Sequence, residues 1–450
     1  MTTGLTRQAL IRHRWAFLGP FATQCLAATV VTAMLTTARS LSGATLSPGQ
    51  RRALDVADVP DAAAVFAGNA IYLSVLMVGV TMTAAIAHQA RDIALLRAVG
   101  ATPGQIRRSV ARQAGVIAMP AAVLGYGIGL CAGWAWLTAL VHQGLVPAVV
   151  RYAPAPVVLP VAAGIAVATS VVGALVAAVR PARVPPATAM SESATLRPAG
   201  GRTRTAVGLL LFAGGAVLSA AVSTFAADQA DDAALFVILA MCVGAGLLGP
   251  VLLSAVTRLA RPLLRLVGDP GLLAADGLVA RSRRMSPALV PLVLAGAFAG
   301  VKVVSHTTAE HVTGVRDPAA DLWLDYSGTA VFAAFALVGA LNTLLTVSLD
   351  RERELALLRL AGATRAGVLA IWTWEAVLVL CTVLTVAAGV ALATLVPLTR
   401  TALHTWTPYL PASWLATGVL AGGVVVATGT VLPAALLMRR PAIESARTSP

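Results

Sequence analysis

The chain has 450 residues but only one lysine, Lys302, and charged residues make up 12% of it. A Walker A loop needs lysine followed by serine or threonine, and Lys302 precedes Val303, so the chain carries no P-loop nucleotide site of its own. The charged fraction is about half that of an ordinary soluble domain, and 58% of residues are hydrophobic, so a soluble globular protein is excluded. Four cysteines, Cys25, Cys131, Cys242 and Cys381, all fall inside apolar runs, where they read as small packing groups and not as a disulfide framework. The six histidines are scattered. His306 and His311 flank Glu310 closely enough to consider a shared metal, but the pattern fits a solvated loop better. No nucleophile–base pairing stands out, so neither a catalytic nor a metal site is expected.

What is present is apolar length. Runs of about 20 residues or more give ten candidate spans, near 15–38, 62–87, 114–142, 154–179, 206–226, 233–257, 285–305, 324–349, 368–396 and 412–438. The first begins after Arg7, Arg12 and Arg14 and is too long for a signal-peptide core, so it reads as a retained helix. The net charge of +14 would point to nucleic acid in a soluble domain; here the arginines cluster between spans, which points to membrane orientation. With the N-terminus inside, inner segments hold 26 of the 33 basic residues. The outer segments and span ends hold seven: Arg39, Arg51, Arg52, Arg151, Lys302, Arg316 and Arg400. Both termini are therefore expected in the cytoplasm. The nearly exclusive use of arginine points to a GC-rich bacterial gene.

One stretch is written twice. Arg91-Asp92-Ile93-Ala94-Leu95-Leu96-Arg97-Ala98-Val99-Gly100-Ala101-Thr102 returns 262 positions later as Arg353-Glu354-Leu355-Ala356-Leu357-Leu358-Arg359-Leu360-Ala361-Gly362-Ala363-Thr364, with eight of 12 positions identical. Unrelated segments of this size share about one identity, so the chain contains an internal repeat. Six spans separate the copies, an even number, so the repeats are parallel. The fold expected is an all-α polytopic membrane protein with about ten transmembrane helices in a 4+2+4 tandem arrangement. Its parts are a first unit at 1–180, a linker with two connecting spans at 181–284 and a second unit at 285–450. Within the linker, 258–284 places Leu263, Leu264, Leu266 and Leu272 among arginines and is expected to lie along the membrane surface. Glycines spaced by four, Gly125/Gly129/Gly133, Gly296/Gly300 and Gly418/Gly422, mark close helix contacts without naming their partners.

The repeated element encodes a helix, a corner and a second helix. Arg91 to Val99 can continue the second span, with Ile93, Leu96 and Val99 on a dry side and Arg91 and Arg97 on a wet one. Gly100 stops this helix by adopting positive φ. Thr102, Pro103 and Gln105 then form a capping box that starts the next. The second copy keeps Gly362 and Thr364 but has Arg365 and Gly367 in place of Pro103 and Gln105, so its corner is less well capped. Plain basic anchoring in the headgroup region needs charge alone. A shaped corner at two equivalent places suits docking to a two-fold partner.

The pattern Arg-x-x-Ala-Leu-Leu-Arg-x-x-Gly-Ala-Thr after a span resembles the signature of FtsX-like (MacB-type) permeases of ABC transporters. The ten-span layout is similar to that of the single-chain, bacitracin-resistance-type members, although neither outer loop is long enough for the extracellular domain many members carry. The resemblance implies that a separate ABC ATPase, in two copies, docks on coupling elements formed by Arg91, Asp92, Leu95, Leu96, Arg97, Gly100, Ala101 and Thr102, and by Arg353, Glu354, Leu357, Leu358, Arg359, Gly362, Ala363 and Thr364. Glu375 matches an acidic position in the family's following helix, and its counterpart in the first copy is Gln113. It implies further that ATP is used by the partner, that this chain binds no cofactor, and that its surroundings are the lipid of a bacterial cytoplasmic membrane, with no role for nucleic acid. Two other readings stand beside it. One is a secondary transporter built from repeats, which the scarcity of ionisable groups deep in spans opposes. The other is a signalling scaffold acting on an extracellular partner.

Overall fold

The computed structural model describes residues 17–56, 59–179, 201–222, 227–349 and 351–438. The basic segment holding Arg7, Arg12 and Arg14, most of the 181–205 linker, and the C-terminal tail lie outside the described residues. Every regular element among the described residues is a helix: α1 Leu18–Ser42, α2 Pro48–Val56, α3 Val59–His88, α4 Ala90–Ala98, α5 Pro103–His142, α6 Val158–Ala177, α7 Gly201–Val222, α8 Ala227–Val267, α9 Asp269–Thr313, α10 Ala319–Leu349, α11 Glu352–Leu360, α12 Arg365–Leu403 and α13 Ala412–Leu437. Ten of these are long and apolar enough to cross a membrane. The three that are not are α2, α4 and α11, and the last two carry the repeated sequence. Many threonines in the spans return their hydroxyls to carbonyls four residues back, as Thr23 does to Gly19 (2.9 Å), Thr36 to Thr32 (2.8 Å) and Thr81 to Met77 (2.8 Å). An apolar helix can carry these residues because their hydroxyls are satisfied within the helix itself.

The chain forms two compact units, Met1–Arg197 with Pro318–Gly339, and Pro198–Asp317 with Ala340–Pro450. In the first, α1 packs on α5 along the glycine row. A Cβ on Gly125 would lie 2.5 Å from the Cys25 carbonyl, one on Gly129 2.7 Å from Thr32 and one on Gly133 2.7 Å from the Thr36 hydroxyl. Backbones can approach this closely only where no side chain intervenes. In the second unit the same crossing is made by α9 and α12, but the glycines have changed sides. Gly296 and Gly300 of α9 face Ala387 and Ala391, which are the 262-residue counterparts of Gly125 and Gly129. Of the third pair, Gly422 lies against Leu380, whereas a Cβ on Gly418 would meet nothing.

Residues 258–284 do not form a separate surface element. They are the end of α8 and the beginning of α9, which runs unbroken through 45 residues, about 68 Å at 1.5 Å per residue. That is roughly twice the hydrocarbon thickness of a bilayer, so the arginine-bearing start of α9 continues its span as helix, with Pro287 and Pro291 inside it. Leucines among arginines could not distinguish a surface helix from the protruding end of a long one.

α8 carries Pro250 in its interior, which has no N–H to give the Gly246 carbonyl. Arg204 of α7 supplies it: its Nη2 donates to Gly246 O (3.0 Å) and its Nε to Leu247 O (3.0 Å), while the Ser286 hydroxyl donates to Gly246 O from 2.7 Å. At the end of the first unit opposite α4, the loops after α1 and α5 fold back onto the spans. There Leu41, Leu54, Leu137, Leu140, Leu145 and Val150 share an apolar cluster, and Trp136 stacks on Trp323 with ring centres 4.9 Å apart.

Candidate functional site

The two copies of the repeated element fold alike, each within its own unit. α4 ends at Val99, Gly100 follows with φ +100°, and the N–H groups of Gly100 and Ala101 return to the carbonyls of Arg97 (3.0 Å) and Leu96 (3.0 Å). α11 ends at Ala361, Gly362 has φ +94°, and the N–H groups of Gly362 and Ala363 return to Arg359 (3.1 Å) and Leu358 (3.0 Å). Both are Schellman closures, the form that needs a residue without a Cβ penalty at positive φ. The next helix starts as the sequence foretells. The Thr102 hydroxyl accepts from Gln105 N (3.3 Å), and Gln105 Oε1 accepts from Thr102 N (2.9 Å), a complete capping box. Thr364 accepts from Gly367 N (3.1 Å), and the reciprocal bond is absent because Gly367 has no side chain.

Two expectations need correction. The corner helix does not continue the preceding span: α3 stops at His88, Gln89 turns the chain with its N–H on Ile86 O, and α4 is a separate helix. Arg351 turns the chain in the same way before α11, bonding Ser348 O. No glycine or proline marks this first bend, so it is not legible from local residue types. The facing was also misjudged. Ile93 is buried, packed with Ile86, Ile106 and Val110, but Leu95 and Leu96 are exposed and Val99 is 90% exposed. In α11, Leu355 takes the buried role against Val368 and Trp372, while Leu357 and Leu360 are exposed and Leu358 is only partly buried. Each corner therefore presents apolar side chains outward. Asp92 and Arg97 are half-buried, and Arg359 donates to the Met438 carbonyl at the end of α13 (3.4 Å). The side chains of Arg91 and Arg353 lie outside the described residues.

Behind the second corner lies a closed set of charges. Arg351 bonds Glu375 through both terminal nitrogens, Nη1 to Oε2 (2.5 Å) and Nη2 to Oε1 (3.2 Å), and its Nε reaches Glu354 Oε2 (3.1 Å). Arg281 of α9 completes the ring, with Nη1 on Glu354 Oε1 (2.6 Å) and Nη2 on Glu375 Oε1 (2.5 Å). The Arg351 guanidinium also lies 4.0 Å from the centre of the Trp372 ring. Glu375 and Arg351 are only 2% and 6% exposed, so their charges depend on this pairing. Gly277 leaves the space: a Cβ there would lie 2.3 Å from Arg281 Nη2 and 3.0 Å from Glu375 Oε1. Of these residues the sequence singled out Glu354 and Glu375. Arg351 resembles any basic flank, and Arg281 joins from 73 residues before Glu354, a distance that no local pattern spans.

Behind the first corner the corresponding positions are neutral. Gln89 stands where Arg351 does, Gln113 where Glu375 does and Val110 where Trp372 does, leaving Asp92 opposite Glu354 as the shared acid. Gln89 and Gln113 are both buried, and the Gln113 Oε1 has no partner.

The family model for the FtsX-like permease C-terminal domain matches twice, at residues 64–186 and 326–442. The chain belongs to the FtsX-like permease family. Each match takes in one corner with the span before it and the two spans after it. The permease is thus a multi-pass membrane component of an ABC transporter, a transport part and not itself a catalytic enzyme. No curated protein matches the chain. Among the permease's described residues, no group of three or more His, Cys, Asp or Glu side chains is placed to hold a metal. His306 pairs with Asp317 (2.7 Å), and His311 stacks on Tyr409 with ring centres 4.3 Å apart.

Proposed function

We propose that the permease docks a separate ABC ATPase, two copies to one chain, on α4 and α11, and that it passes the work of ATP hydrolysis across the cytoplasmic membrane as export or as mechanical transmission. The carrying observation is the exposed apolar surface of two short helices, each set off from its span by a turn and closed by the same glycine corner. A headgroup anchor gains nothing from such a shape; a partner that binds by shape needs it held fixed. The chain supplies the path and the ATPase the hydrolysis. In this reading both termini and both corners face the cytoplasm, as the charge bias indicates.

The test is co-purification with ABC ATPase subunits of the source genome, those of neighbouring genes first. The chain alone should hydrolyse no ATP. Leu95→Glu with Leu357→Glu should abolish ATPase retention while the permease still inserts and elutes as the unsubstituted chain does. Hydrolysis by the isolated chain, or full ATPase retention by the double variant, would overturn the reading. Orientation is tested with an impermeant thiol reagent on cysteines placed at Ser191 or Ala230, in a chain lacking the four native ones. Position 230 should label in intact cells and position 191 only after lysis.

A further inference from the structure

We propose that Arg281, Arg351, Glu354 and Glu375 are positioning residues that lock α11 to α9 and α12, making the second corner the stiff arm through which ATPase movement enters the spans. The inference rests on the docking reading for what moves α11, but the lock itself is a property of the chain.

Each of the two carboxylates is shared by both guanidinium groups, and the four residues come from α9, the turn before α11, α11 itself and α12. Arg351 sits at the bend between α10 and α11, where a free backbone would swing. Its guanidinium is planar and held on both edges and one face: by Glu375 through a fork, by Glu354 through Nε and by Trp372 through stacking. Displacing α11 relative to α12 would pull at Arg351 and Glu375, which are only 6% and 2% exposed, and the resistance to separating such buried partners is steep. α11 is therefore tied to the start of α9, which continues as helix into its span. Behind the first corner the bend residue is Gln89 and the residue opposite is Gln113, so two buried neutral amides stand where the second corner has the forked Arg351–Glu375 pair.

The test uses the full chain with Cys25, Cys131, Cys242 and Cys381 replaced and nitroxide pairs at Leu357 with Thr373, and at their counterparts Leu95 with Ala111. The distance distribution across α11 and α12 should be narrower than that across α4 and α5. Arg351→Gln with Glu375→Gln reproduces the amide pair found behind the first corner, and it should broaden the second distribution to match the first. The same double variant should hold the neighbouring-gene ATPase within about twofold of the original affinity, while stimulation of its hydrolysis by the permease falls about tenfold, the size of an ordinary coupling between sites. Glu354→Gln, at the half-exposed rim of the ring, should broaden the distribution less and in the same direction, and it serves if the double variant misfolds. Equal widths at the two corners, or unchanged width and stimulation in the double variant, would overturn the lock. So would ATPase binding lost in step with stimulation, since the ring would then shape the docking surface instead of transmitting force. Failure of the ATPase to bind the unsubstituted permease would sink the docking reading and leave the distance distributions to judge the lock.

Discussion

The corner at α4 and the corner at α11 share a backbone and differ in what stands behind it. Both close with a Schellman glycine and both restart on a threonine cap. Where one has the buried amides Gln89 and Gln113, the other has Arg351 and Glu375, joined to Arg281 and stacked on Trp372. The glycine and threonine act over a few residues and fix a shape; the ionic ring acts across helices and fixes a stiffness. A duplicated element can thus keep the first property while its copies part in the second.

The largest expected difference between the corners comes from removing the acid. Glu375→Ala leaves Arg281 without one of its two acidic partners and Arg351 without its forked one, in a site that admits almost no water; the loss should be about 3–5 kcal/mol. Gln113→Ala removes a neutral amide that already has an unpartnered oxygen, and should cost about 1 kcal/mol or less. Unfolding midpoints of the two purified variants in the same detergent measure this, and equal shifts would erase the distinction.

The glycines should behave in the opposite way, alike in both copies. A Cβ at Gly100 or Gly362 would meet no atom within 4 Å, so the penalty for Gly100→Val or Gly362→Val is the backbone's own, about 1–2 kcal/mol at positive φ. Each variant should lower ATPase co-purification by a similar amount, and the double variant should lower it further. A marked inequality would show that the two corners do not carry equal shares of the docking.

These two comparisons also mark where the sequence was readable. The corner was legible because its hydrogen bonds join residues no more than five apart, and Gly, Thr, Pro and Gln each announce their part. The ten spans were legible because apolar length is a strong and redundant signal. The facing of α4 was not: in a nine-residue helix, Leu96 and Val99 at three-residue spacing from Ile93 fit a buried stripe as well as a surface awaiting a partner. The bends at Gln89 and Arg351 carry no breaker residue. The ring around Glu375 needs Arg281, which lies 94 residues away in sequence, in a stretch whose leucines and arginines equally suit a surface helix.

The smallest expected effect sharpens the comparison at the caps. Gln105→Ala should loosen the first turn of α5 by about 0.5–1 kcal/mol, since half of the capping box is lost. Gly367→Gln should do the reverse for α12: it supplies the missing reciprocal acceptor and removes a helical glycine, a gain of about 0.5 kcal/mol. Amide hydrogen exchange in these first turns reads both, slower for Gly367→Gln and faster for Gln105→Ala. Equal and unchanged exchange would mean that packing alone holds the helix starts.

Pro250 makes α8 dependent on its neighbours in the chain. The Gly246 carbonyl has no donor within α8, and in lipid an unmet carbonyl is costly by several kcal/mol. Its donors arrive from either side in synthesis, Arg204 from 42 residues earlier and Ser286 from 40 residues later. α8 released into the membrane alone is therefore an unsettled intermediate. The middle of α8 is satisfied only with both of its chain neighbours in place, α7 through Arg204 and α9 through Ser286.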